Sequence, residues 1–173
     1  MAIPVRRATA DDAAELSRLR EVMFASFGPA PDRTLWWDAA VKELQDALAD
    51  PDGPLQAFVV DADSFTGASG ASGASGELAS CAVGVIDRRL PSAYNPVGLS
   101  GYVLSVATDP RHRRRGYARA VVQATLDWFE SRGIQRVELH ASTDAEAMYR
   151  AMGFLEPHGL ALTRWAAHSD PSK

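Results

Sequence analysis

Cysteine is almost absent from this chain: Cys81 is the only one in 173 residues. The chain can therefore close no intramolecular disulfide and build no cysteine cage for a metal. Its four histidines are scattered without ligand spacing, and no metal is expected. No apolar run approaches the length of a membrane span, and residues 1–7 lack the hydrophobic stretch of a secretion signal, so a cytoplasmic protein is the expectation. A basic excess is missing too. The formal net charge is -4, which argues against nucleic-acid binding as the main activity. No glycine-rich loop ends in Gly-Lys-Ser/Thr, which excludes a phosphate-loop ATPase, and a dinucleotide-binding unit would need a full Gly-x-Gly-x-x-Gly.

What is present is ordinary in bulk: 46% hydrophobic and 23% charged residues, suited to a single domain over residues 1–173 with a core around a central sheet. Ile3–Ala8 reads as a strand. Thr9, with Asp12 three residues on, is placed to cap a helix carrying Leu16, Leu19 and Met23 on one face. A second helix is expected from Asp32, with Trp36, Ala40, Leu44, Ala47 and Leu48 along one side, and Asp50–Pro54 stops it. Leu55–Asp61 and Leu78–Ile86 read as strands. Between them, Gly67–Gly76 is a Gly-Ala-Ser repeat expected to be a flexible hairpin loop. Leu90–Gly98 is a further loop and Tyr102–Thr108 an apolar strand. Arg113–Ser131 carries the clearest helical periodicity, with Gly133 as its stop. Arg136–Ala141 reads as a strand. Thr143 with Glu146 matches a capping box for a short helix ended by Gly153. Phe154–Trp165 could close the sheet with a hairpin turning near Pro157, and the last residues read as a tail. This order implies a mixed α/β sheet with helices on its faces.

The informative stretch is Asp109 to Ala118, between an apolar strand and the strongest helix. Four arginines, Arg111, Arg113, Arg114 and Arg115, crowd the entry to that helix. Cations at a helix N-terminus are unfavourable by about 0.3–1 kcal/mol each. A bound anion reverses that sign, because first-turn N–H groups and arginine forks together cradle phosphate. Gly116 lets the backbone approach a pyrophosphate closely. A solvated basic loop or a nucleic-acid patch is the competing reading of the arginines alone.

Arg113-Arg114-Arg115-Gly116-Tyr117-Ala118 matches the Arg/Gln-x-x-Gly-x-Gly/Ala signature of the GNAT superfamily of N-acetyltransferases. Ala145-Glu146-Ala147-Met148-Tyr149-Arg150-Ala151-Met152-Gly153-Phe154 is similar to that family's second motif, Ala-x-x-Leu-Tyr-x-x-x-Gly-Phe. Both stand in the family's order and spacing, over residues 99–166. The resemblance implies a mixed, largely antiparallel sheet of about six to seven strands flanked by about four helices. It also implies acetyl-CoA as co-substrate and a primary amine as acceptor. Carried over position by position, Arg113, Arg114, Arg115, Gly116, Tyr117, Ala118 and Arg119 hold the CoA pyrophosphate, chiefly through backbone N–H groups. Val106, Ala107 and Thr108 line the pantetheine arm, and Ser142 stands where the family often has a cofactor-contacting asparagine.

Acyl transfer from a thioester to an amine needs a neutral amine, a stabilised oxyanion and a proton for the departing thiolate. Tyr149 matches the family's proton donor, and the Val106 N–H is the natural oxyanion donor. Glu138, His140 and Asp87 read as ordinary strand-edge residues, and no general base is assigned. Cys81 lies in an apolar strand without a basic neighbour, as inert buried cysteines do. Trp36 and Tyr94 are candidates for an acceptor cleft, with plain packing as the competing reading. The expected partners are a small-molecule or peptide amine, with no nucleic acid and no membrane, in a monomer or homodimer. A CoA-binding regulatory module of the same fold is the alternative function.

Overall fold

A computed structural model describes residues 2–29, 31–62, 76–157, 159 and 162–163. The chain divides into two compact units, Met1–His140 and Ala141–Lys173.

The first unit is built on a five-stranded sheet in sequential order: β1 (Arg6–Arg7), β2 (Leu55–Asp61), β3 (Leu78–Arg88), β4 (Leu99–Thr108) and β5 (Val137–Leu139). The first three junctions are antiparallel and β4–β5 is parallel. The mixed, largely antiparallel character agrees with the sequence reading, but the expected six to seven strands do not: five strands are present among the described residues. Residues 154–157 of the expected closing hairpin take no strand, and much of its remainder lies outside the described residues. The Gly-Ala-Ser repeat also lies outside them, except Gly76. Strand β1 is shorter than Ile3–Ala8, since Pro4 has no N–H to offer a ladder. Strands β3 and β4 extend beyond their expected ends, to Arg88 and back to Leu99.

Helices α1 (Ala13–Phe24) and α2 (Trp37–Leu48) cover one face of the sheet and α3 (Tyr117–Ser131) the other. With both faces covered, β2 reads as a continuous buried run rather than an alternation. Ala57, Val59, Cys81 and Val83 pack in one cluster with Leu16 and Leu19 of α1. The intervening Phe58 turns to the opposite side, its ring centroid 6.2 Å from that of Trp128 on α3. Two glycines allow α3 to lie close: a Cβ on Gly84 would come within 2.7 Å of Thr125 Cγ2, and one on Gly101 within 2.9 Å of Phe129 Cζ.

Helix ends follow local chemistry. Before α1, the Thr9 N–H donates to Asp12 Oδ2 at 2.7 Å, as the capping pattern suggests. Helix α2 starts later than Asp32, because the Asp32 carboxylate accepts the Thr34 N–H at 2.9 Å and opens a 3-10 turn first. Gly133 (φ +72°) ends α3, with Ile134 N–H to Phe129 O and Gly133 N–H to Glu130 O both at 2.9 Å.

In the second unit, α4 spans Thr143–Arg150. Its N-cap is Ser142 rather than Thr143, with the Ser142 carbonyl accepting the N–H groups of Ala145 (3.0 Å) and Glu146 (3.1 Å). Ser142 has the extended backbone of a cap while Thr143 is already helical, so the expected Thr143–Glu146 capping box does not form, and N3 is Ala145, whose side chain cannot reach back. Phe154 N–H bonds Tyr149 O at 3.1 Å across the turn at Gly153, and the two rings meet edge to face at 5.7 Å.

Candidate active site

Strand β4 pairs with β3 along its whole length but with β5 over only part of it. Gly101–Val103 pair with Val137–Leu139 of β5, and the Gly101 N–H donates to Arg136 O at 2.8 Å. The β3–β4 register then slips: Cys81 faces Ala107 but Val83 faces Leu104, which leaves one extra residue in β4. Ser105 absorbs it with φ +51°, a left-handed conformation that serine rarely adopts. Beyond the bulge, odd-numbered residues face β3. Asp109 N–H reaches Ala79 O at 2.9 Å, Ser80 Oγ donates to Ala107 O at 2.9 Å, and Cys81 Sγ to Ser105 O at 3.2 Å. Strand alternation then turns the N–H and C=O groups of Val106 and Thr108 to the opposite edge. There the pairing with β5 has ended at Val103. Among the described residues the result is a short open edge, suited to an extended, amide-bearing chain.

This edge leads into the arginine loop. A 3-10 turn at Pro110–His112 is followed by Arg114 at φ +63° and Gly116 at φ +80°. The helix expected from Arg113 begins only at Tyr117, because Gly116 is its left-handed N-cap. Two left-handed residues in three give the loop a concave backbone. The first intrahelical bond is Ala120 N–H to Gly116 O at 3.1 Å, so the ladder offers no acceptor to the Ala118 and Arg119 amides. Arg113, Arg114, Arg115 and Arg119 are exposed, and no ion pair engages them among the described residues. An ideal Cβ on Gly116 meets only Ile3 Cδ1, at 3.4 Å; it is the positive φ that calls for glycine here. Arg113 Nε reaches back to Thr108 O at 3.4 Å, and the concave amides, the exposed guanidinium groups and the β4 edge together fit a pyrophosphate joined to an amide-containing arm. The Tyr117 side chain is buried and stacked at 6.4 Å on His112.

Two arginines of α1 hold this apparatus. Arg18 donates to Asp109 Oδ2 at 2.8 Å, to Leu78 O at 2.8 Å and to Glu15 at 2.9 Å. Asp109 also accepts the Arg111 N–H at 3.0 Å, so one buried carboxylate fixes both the end of β4 and the start of the loop. Burial alone would raise the Glu15 carboxyl, but bonds from Arg18 and the Leu78 N–H hold it below its ordinary value. Arg20 donates to Ser105 Oγ at the bulge and stacks 5.0 Å above Phe24. It has no carboxylate partner among the described residues, and burial lowers its pKa.

Other sequence candidates fall in different places. Trp36 precedes α2, half-buried against Phe24 (5.3 Å) and Trp37 (5.8 Å). Tyr94 is 97% exposed on the β3–β4 connection. Cys81 is fully buried, and desolvation pushes its thiol up to about 12, as an inert core cysteine requires. In the second unit Tyr149 is buried, and burial raises its phenol to about 12. Sequence reasoning had no means of finding Arg18, Arg20 or the bulge at Ser105. Nor did it pair Tyr102 with His140, whose ring Nδ1 meets the phenol oxygen.

With this geometry established, comparisons place the chain among known proteins. A family model described as the acetyltransferase (GNAT) family matches residues 19–154. No curated protein matches the sequence. Among solved structures, a GCN5-related N-acetyltransferase from Ralstonia eutropha JMP134 superposes with a TM-score of 0.75 at 24% identity, covering 93% of this chain and 97% of that one. A predicted acetyltransferase from Clostridium acetobutylicum, solved with acetyl-CoA, gives 0.73 at 20% identity, covering 92% and 95%. Glucosamine-6-phosphate N-acetyltransferase from Arabidopsis thaliana gives 0.68 at 16%, covering 95% and 99%.

Proposed function

The chain belongs to the acetyltransferase (GNAT) family, and from that premise we propose that it transfers an acetyl group from acetyl-CoA directly to a primary amine. The observation that carries the proposal is the continuity of two features: the open edge at Val106 and Thr108, and the left-handed arginine loop that follows it. Bound acetyl-CoA supplies an acetyl group activated as a thioester. The chain's part is to hold it, to orient it and to manage charge and protons. Amides from Arg114 to Arg119, with the guanidinium groups of Arg113, Arg114, Arg115 and Arg119, are suited to the pyrophosphate. Val106 and Thr108 offer alternating donors and acceptors to the amide-bearing arm, with Ala107 turned to β3. Ser142 takes the place of a cofactor-contacting asparagine.

Val106 is also the donor we assign to the carbonyl oxygen that gains charge as the amine attacks. A backbone N–H fixed by the strand beyond the bulge needs no reorganisation to play that part. Tyr149 is the hydrogen-bond donor we assign to the departing sulfur. Its burial supports the role, since a phenol raised to about 12 stays protonated at neutral pH. The amine acceptor itself is a proposal resting on the family. Incubation with acetyl-CoA and a broad amine panel, read by mass spectrometry, tests the reading: an acetylated amine with one thiol released per acetyl group is expected. Thiol release without an acetylated amine would overturn it.

A further inference from the structure

An amine arriving at this site is an ammonium ion at neutral pH, with reference pKa values of about 8 for an α-amino group and about 10.4 for a lysine-type amine. It must lose a proton before it can attack. Tyr102 and His140 meet at the end of the β4–β5 ladder, beside the β4 edge proposed to hold the thioester arm. Tyr102 sits on the paired part of β4, opposite Glu138 of β5. The last β4–β5 pair is Val103 with Leu139, so His140 is the first residue beyond the parallel ladder. The phenol oxygen of Tyr102 bonds His140 Nδ1, with ring centroids 5.9 Å apart. Tyr102 also pairs with Val85 of β3. Strand alternation puts Val85 on the side of Cys81 and Val83, which pack against α1. The pair therefore stands on the α1 side of the sheet, three positions before the bulge and beside the edge where β4 loses its partner. His140 is exposed and Tyr102 half-exposed, so the pair is open both to a ligand and to solvent.

We infer that Tyr102 and His140 form the proton relay that neutralises the acceptor amine, an inference that rests on the acetyl-transfer reading above. Tyr102 is the catalytic residue and His140 acts through it. As one ammonium N–H bond breaks, its proton passes to the phenol oxygen. The phenol's own proton passes to His140 Nδ1, leaving a neutral amine, an unchanged tyrosine and an imidazolium. The imidazolium then sheds a proton to water from its exposed ring. This direction requires Tyr102 to be the donor to Nδ1, with the imidazole proton on Nε2. Burial, then the charge of Glu138, raises the Tyr102 phenol and keeps it a donor. The other charged groups on this side already have partners or stand apart. Glu138 pairs with Arg136 at 2.8 Å and Asp87 with Arg89 at 3.5 Å, while Arg20 is bonded to Ser105.

Two measurements on the intact protein test the relay. In nitrogen-15 NMR of the histidine ring, wild type is expected to show the Nε2–H tautomer, with an Nδ1 resonance that Tyr102→Phe displaces. An Nδ1–H tautomer, or a resonance indifferent to Tyr102→Phe, would overturn the relay without any activity being measured. For turnover, benzylamine, glycinamide and an alanyl peptide serve as probe amines with acetyl-CoA. Wild-type acetylation of any of them tests the acetyl-transfer reading on its own; if none is acetylated, that reading fails for these amines and the relay fails with it. Where wild type is active, His140→Gln and Tyr102→Phe should each lower kcat/KM by about 10²-fold near neutral pH. Both should also lose the acid limb of the wild-type pH profile, with CoA affinity unchanged. Added imidazole should partly restore a His140→Ala variant. Variants that keep the wild-type rate and acid limb would overturn the relay and leave the acetyltransferase reading intact.

Discussion

Arg18 on α1 and Asp109 at the end of β4 meet at 2.8 Å, and through this contact the first helix sets the start of the arginine loop. Asp109 is 4% exposed and accepts from Arg18, from the Arg111 backbone and from the Arg111 side chain. Removing Arg18 leaves that carboxylate buried with its deepest partner gone. Arg18→Met should cost about 3 kcal/mol in chemical denaturation and weaken CoA binding as the loop loosens. Arg20→Met is the contrast. Arg20 has no carboxylate to orphan, so its loss should change stability by less than about 1 kcal/mol. Equal destabilisation by the two substitutions would show that the Arg18–Asp109 contact holds nothing in particular.

Acid stability should depend on two carboxylates near the N-terminus. Burial would raise Asp12, but bonds from Arg6 and Thr9 outweigh it and leave the carboxyl below its ordinary value; Glu15 behaves likewise through Arg18 and Leu78. A depressed folded-state pKa gives stability that is fully present above the unfolded value of about 4 and is lost as pH falls through the folded value. Denaturation at a series of pH values should therefore show a plateau above about pH 5 and a decline below it. Arg6→Met should flatten that decline while lowering the plateau. An unchanged acid slope in this variant would contradict the assignment of Asp12.

The arginine loop was legible in the sequence because arginines, glycine and an amphipathic helix occur consecutively, and each has a local meaning. The beginning of α3 was misread because arginine is a good helix former; the left-handed Gly116 overrides that preference, and the helix starts at Tyr117. Ser105 gave no warning of its positive φ, since the bulge arises from the mismatch between β3 and β4 and not from serine's own preference. The Arg18–Asp109 and Tyr102–His140 contacts join residues 91 and 38 positions apart, and neither has a periodic signature. Ser142 and Thr143 are both competent caps, so composition alone could not choose between them.

The β2–β3 hairpin is closed below its long connection. Asp61 pairs with Leu78, and the Ala62 N–H donates to Glu77 O at 2.9 Å. Replacing residues 67–76 by a two-residue turn should leave the melting temperature and CoA affinity nearly unchanged, because closing a longer or shorter loop differs by only about 0.6 kcal/mol per doubling of length. Loss of folding in the shortened protein, followed by circular dichroism, would show that the segment contributes structure.

Tyr149→Phe should separate chemistry from binding. The ring keeps its edge-to-face contact with Phe154, so CoA affinity and melting temperature should hold. Turnover should fall by about 10²–10⁴-fold, the usual worth of a positioned acid. The loss should shrink with an activated thioester whose thiolate leaves without a proton. Full activity with acetyl-CoA across pH would remove the phenol from the mechanism.

Calorimetric titration of CoA into wild type and Gly116→Glu tests the role proposed for the arginine loop. Gly116 holds φ +80° at the mouth of α3, and glutamate there adds a carboxylate and a left-handed strain of about 1–2 kcal/mol. Wild type should bind one CoA per chain, and Gly116→Glu should bind none while keeping its helical circular dichroism and a cooperative melt. A wild type that gives no binding heat at any temperature tried, or a folded Gly116→Glu that binds CoA as tightly as wild type, would contradict the assignment of this loop to the pyrophosphate.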